Sequence, residues 1–117
     1  MSACKIMVGE KQAEEVRIDQ YLTIFNYFTK SDYEAISLVT AHLNGPHSNR
    51  VNRRSVKLYF LTEGTLDIVV DGVQHRLHQQ DALLVPPNKW HTMEGHNARM
   101  LIICAPAYDA ADEEIEG

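Results

Sequence analysis

The stretch LDIVVDGVQHRL, Leu66 to Leu77, sets two β-forming runs on either side of Asp71-Gly72. A two-residue hairpin loop needs positive φ at both central positions, which aspartate tolerates and glycine adopts freely, so the stretch predicts a tight β-hairpin. The same grammar continues outward. LTIFNYF (Leu22–Phe28) is rich in β-formers, and AISLVTAHL (Ala35–Leu43) alternates Ile36, Leu38 and Thr40 against Ser37, Val39 and Ala41. VKLYFL (Val56–Leu61), ALLV (Ala82–Val85) and the run Arg99–Cys104 read as further strands. Turn residues punctuate them: NGPHSN at 44–49, Glu63-Gly64, and Pro86-Pro87. Helical evidence is confined to Glu10–Ile18, where Ala13 and Val16 are the only supporting apolar pair. Many short strands with tight turns make an all-β chain, as a sandwich or a barrel.

At 117 residues the chain fits one domain. No apolar run approaches the ~18 residues of a membrane span, and MSACKIMVGEKQAEE lacks the apolar stretch of a secretion signal. The expectation is a cytoplasmic protein with Cys4 and Cys104 reduced, Cys104 packing as a small hydrophobe. The net charge of −5 comes from the end of the chain: APAYDAADEEIEG, after Cys104, holds five carboxylates and no Lys or Arg. That tail reads as a solvated, mobile end. Arg50, Arg53, Arg54 and Lys57 cluster without interleaved aromatics or a basic helix, so no nucleic-acid partner is expected.

Two segments carry a resemblance. GPHSNRVNRRSVKLYFLTEG (Gly45–Gly64) and QDALLVPPNKWHTMEG (Gln80–Gly95) resemble the paired signature motifs of the cupin superfamily. The resemblance implies a single-domain jelly-roll β-barrel over 21–105. A short irregular or helical segment, 1–20, would pack on or swap across it, and an acidic tail, 106–117, would follow. Aligned without a gap, the first motif puts its two histidine places on Val51 and Arg53, its glutamate place on Lys57 and its closing glycine on Gly64. The second keeps Asp81, Pro86 and His91 and puts Asn88 at its glycine place and Gly95 at its last. Metal-binding members use those three first-motif positions and the second-motif histidine to hold iron, manganese, nickel or zinc. Here His91 alone is kept, and Arg53 and Lys57 bring positive charge where a cation would sit. No metal cofactor is therefore expected, the weak alternative being His91 with His75.

Val51, Arg53, Ser55, Lys57, Tyr59 and Leu61 share parity, so a regular strand would show them on one face. The resemblance makes that face the inside of the barrel. Inward cations need compensation: a carboxylate such as Asp67 or Glu94, water at the mouth, or an anionic ligand. Arg50 and Arg54 read as surface charge, His78 as surface, and His47 and His96 as exposed turn residues; the direction of His42 stays open. An Arg-Lys pair suits a carboxylate or phosphate. The expected function is binding of a small anionic or carbonyl-bearing metabolite by Arg53, Lys57, His75 and Trp90. Catalysis would be that of an isomerase, epimerase or lyase, with His91 as general base aided by Lys57 and Tyr59. Alternatives are a non-catalytic ligand-binding or sensor module, in which His91 only packs or donates a hydrogen bond, and a metal-dependent enzyme with atypical ligands. The resemblance also implies a homodimer, with Val56, Leu58 and Phe60 on the opposite parity as its apolar face.

Overall fold

The computed structural model describes residues 5–116; Cys4 lies outside them. Among these described residues are eight strands and two short 3₁₀ turns, at Glu10–Gln12 and Ala110–Asp112. The strands are β1 (Glu14–Arg17), β2 (Leu22–Phe28), β3 (Ser37–Asn52), β4 (Val56–Val70), β5 (Val73–Leu77), β6 (Ala82–Val85), β7 (His91–Ala105) and β8 (Glu113–Ile115). All pairings are antiparallel, in the order β1-β2-β3-β7-β4-β5, with β6 added to β4 and β8 to β3.

The long strands β3, β4 and β7 each serve two faces. β3 pairs with β2 through its first half and β8 through its end, β4 with β6 and then β5, and β7 lies between β3 and β4 along its length. The bend between halves is where the register slips, at Leu43/Gly45 in β3 and on either side of Glu63 in β4. Across the bends of β4 and β7 the parity that faces inward changes. In β4 the buried residues run Lys57, Tyr59, Leu61 and then Leu66, Ile68; in β7 they run His91, Met93 and then Ala98, Met100. Gly64 takes φ +74, and a Cβ there would lie 2.3 Å from the Asn97 carbonyl oxygen. Two bent backbones thus touch at a point with no room for a side chain. The bends bring Leu43, Tyr59, Leu61, Leu66, Ile68 and Met100 into one core.

The hairpin forms as expected, with Asp71 at φ 50 and Gly72 at φ 82 joining β4 to β5. Three expectations are corrected. The 10–18 region is a 3₁₀ turn followed by β1, which pairs with β2 from Glu14↔Asn26 to Arg17↔Thr23; two apolar residues do not support a helix face. Arg53 and Lys57 do not lie on one continuous strand, because β3 ends at Asn52 and β4 begins at Val56. The acidic tail is not a solvated end. Asp109 accepts from the Ala111 amide and from Lys30, and β8 then pairs with Arg50–Asn52 of β3. Tail carboxylates fold back because the basic run 50–57 offers them partners.

Candidate functional site

A cavity of about 450 Å³ lies inside the bent sheet, lined from β2, β3, β4, β7 and the tail. Three of its lining residues, Ile18, Tyr108 and Ile115, are exposed and mark where it opens. The strand register gives its walls a gradient. Ser37, Cys104 and Lys57 share one level across β3, β7 and β4. The next level holds Asn26, Val39, Ile102 and Tyr59, and the one after it Ile24, Ala41, Met100 and Leu61. The cavity is therefore polar at the Lys57 end and apolar toward the bend.

At the polar end three charges meet. Lys57 Nζ lies 3.3 Å from Glu113 Oε2, and Arg50 Nη1 lies 3.1 Å from Glu113 Oε1. The side chains of Lys57 and Glu113 are only 8% and 4% exposed, so this is an interior cluster, not surface pairing. Tyr108 donates to Glu113 Oε1 at 3.0 Å, and Arg50 also donates to the Ser48 carbonyl and hydroxyl. Burial pushes the Glu113 carboxyl up, but Lys57 and Arg50 outweigh it and hold it below its usual range. Burial pushes Lys57 down, but its surroundings, with the Glu113 carboxylate among them, outweigh that and leave it raised and cationic. Two cations against one carboxylate leave a surplus of one positive charge.

Beside the cluster, Tyr59 and His91 form a buried pair. Their rings meet edge to face at 6.1 Å, with Tyr59 Oη 3.2 Å from His91 Nε2. His91 Nδ1 lies 3.2 Å from the Lys89 carbonyl oxygen, which can only accept, so Nδ1 carries the hydrogen. Nε2 is then the acceptor, and the Tyr59 hydroxyl donates to it. Burial raises the phenol, with Lys57 pulling the other way. Burial, and then Lys57, lowers His91 from 6.5 to about 4. Tyr59 lines the cavity, whereas His91 stands behind it and reaches the interior through the phenol.

His47 and Arg50, read from sequence as exposed, both line the cavity. A register slip between them on β3 turns both inward despite opposite parity. Burial, and then Arg50, lowers His47 to about 4. Cys104 is buried as expected, with its thiol pushed up by burial.

Other expected ligands stand elsewhere. Arg53 is outside, paired with Glu114 and lying 5.8 Å over the Trp90 ring, so neither Arg53 nor Trp90 lines the cavity. His75 is exposed on β5, at an edge of the sheet. Asp67 is engaged on the outside by Arg76 and His96, and Glu94 is exposed; the compensating carboxylate is Glu113. Local spacing gives no access to Glu113. The one signal for it is charge complementarity between the acidic tail and the 50–57 run.

The family's metal places do not fit a metal. Val51 has no donor, Arg53 points out, Lys57 is an ammonium, and His91 Nε2 accepts from Tyr59. Among the described residues no three His, Cys, Asp or Glu side chains converge for one, and His75 is too exposed to join His91 in its interior position.

The low basicity of His91 has a consequence for stability. Between pH 6.5 and about 4 the unfolded chain protonates this histidine and the folded chain does not, so stability falls as pH falls through that window. The contribution is about 3 kcal/mol, absent above pH 7 and complete near pH 4. Urea unfolding of wild type and His91→Gln should show curves that converge by that amount on acidification; parallel curves would contradict it.

A cupin domain family model matches residues 41–104, more than half of the chain. No curated protein matches in sequence. Among solved structures, the chain is similar to Pac13, a nucleoside dehydratase, at 19% identity and TM-score 0.85, covering 96% of this chain and 91% of that one. Structures of Streptomyces PAC13 variants with uridine superpose as well, at a TM-score of 0.86. KdgF from Halomonas sp. matches at 12% identity and TM-score 0.81, over 92% of this chain and 98% of that one. A protein from Planctomyces limnophilus matches at 19% and 0.81, over 95% and 96%.

Proposed function

The chain belongs to the cupin family, and from that premise we propose that it is a metal-independent lyase or isomerase acting on a small anionic or carbonyl-bearing metabolite held in the barrel. The observation that carries this is the Tyr59–His91 hydrogen bond, buried beside a charge cluster with one surplus cation. The ligand's carbonyl or carboxylate lies against Lys57 and Arg50. Tyr59 oxygen takes the proton from the adjacent carbon while its own hydrogen passes to His91 Nε2. The imidazolium keeps its Nδ1 hydrogen on the Lys89 carbonyl. The electron pair left on carbon moves to the carbonyl oxygen, and Lys57 stabilises that enolate. Return of the proton to a different face or atom gives epimerisation or isomerisation; loss of a β-substituent gives elimination. The fold likeness to a nucleoside dehydratase supports the elimination branch.

One observation favours a non-catalytic binding module instead. Glu113 already engages both cations, and His91 and His47 are both weak bases. The two readings separate in deuterium oxide with a panel of 2-oxo and 3-oxo acids as probes. An enzyme incorporates solvent deuterium next to the carbonyl; binding without incorporation by any probe would leave the module. A homodimer, as the family resemblance implies, would cover the outer face where Leu58 and Leu84 are cross-strand partners, 36% and 56% exposed.

A further inference from the structure

We infer that the metabolite is amphipathic: a monoanionic or carbonyl head on an apolar body, not a polyhydroxylated sugar or a nucleoside. This deepens the function proposed above and rests on it. The gradient along the walls carries the argument. Lys57, Arg50, Glu113 and Tyr59 occupy the polar end, and from there the walls pass within two strand levels to Ile24, Ala41 and Met100. Toward the bend, Leu22 and Leu43 are cross-strand partners and both line the cavity. A ligand whose head sits on Lys57 must lay the rest of its length along these side chains. Each hydroxyl placed there would lose its water and meet no partner, which costs affinity.

Polar groups along that path are few. Asn26 lies level with Val39, and its amide nitrogen is already drawn to Glu14 at 3.1 Å. The Thr29 hydroxyl donates to Asp32 and the Ser37 hydroxyl accepts from the Tyr108 amide, which leaves the neutral His47 ring on β3. Asn26 and His47 serve one polar substituent, not the ring of hydroxyls on a hexose. Met93 and Met100, unbranched and adaptable, are walls suited to an aliphatic or aryl body of variable shape. The charge count agrees, since one surplus cation matches one carboxylate or one developing enolate and not the dianion of a phosphate monoester.

The test is titration calorimetry on the wild-type chain with butanoate, hexanoate, octanoate and gluconate. Each buried methylene multiplies affinity about fourfold, so octanoate, four methylenes longer, should bind about 250-fold more tightly than butanoate if all four are buried, with gluconate weaker than hexanoate. Ile102→Thr, a polar change on the apolar wall, should flatten the chain-length series. The same series on wild type stands alone should that variant fold poorly. Gluconate binding as tightly as octanoate, or affinity independent of chain length, would overturn this inference and leave the anion site intact. No binding by any of the four acids would overturn both this inference and the basic-cavity reading beneath it.

Discussion

Replacing Glu113 by Gln should destabilise the fold by about 3 kcal/mol in urea unfolding at pH 7. Removing one partner of a buried charge cluster leaves the others uncompensated, and such losses run at about 3–5 kcal/mol. The lower end applies because the Ser48 carbonyl and hydroxyl still engage Arg50 and the cavity opens to solvent. The strained partner would be Lys57, whose side chain is 8% exposed and whose ammonium has Glu113 as its ion-pair partner. Lys57→Met in the same chain should therefore recover more than half of the loss, a coupling that a merely structural tail strand would not produce. A Glu113→Gln cost under about 0.5 kcal/mol, or strictly additive variants, would place the carboxylate in solvent and dissolve the cluster.

Tyr59→Phe should lower the rate of deuterium incorporation into a bound oxo acid by about 100-fold or more. Ligand affinity should change by less than about threefold, since Lys57 and Arg50 hold the head group. Loss of one hydroxyl removes both the acceptor for the carbon-bound proton and the donor to His91. His91→Gln should slow incorporation less than Tyr59→Phe, because it leaves the phenol in the cavity while removing its proton acceptor. Equal rates in wild type and Tyr59→Phe would exclude the phenol from the reaction.

Most of the architecture was legible along the chain. Asp71-Gly72 announced its hairpin, and the alternation of Ser55, Lys57, Tyr59 and Leu61 located the inward face of β4. The site was only half legible, for physical reasons tied to individual residues. Parity arguments hold within a regular strand and fail across a slip. The slip between His47 and Arg50 turns both inward, and the connection after Asn52 puts Arg53 outside against Glu114 and Trp90. The sequence expectation placed Arg53 beside Lys57 in the barrel, whereas Arg50 lines the cavity and Arg53 stands outside it. Glu113 lies 56 positions from Lys57 along the chain, and only the pairing of β8 with β3 brings them together. His91, expected as the base from its motif, stands behind Tyr59 with its ring held by the Lys89 carbonyl.

The direct measurement is a nitrogen-15 spectrum of the His91 ring across pH. The account predicts a neutral ring with hydrogen on Nδ1, an unprotonated Nε2 whose shift moves in Tyr59→Phe, and no titration above about pH 5. A ring that titrates near its usual 6.5, or that carries its hydrogen on Nε2, would contradict it.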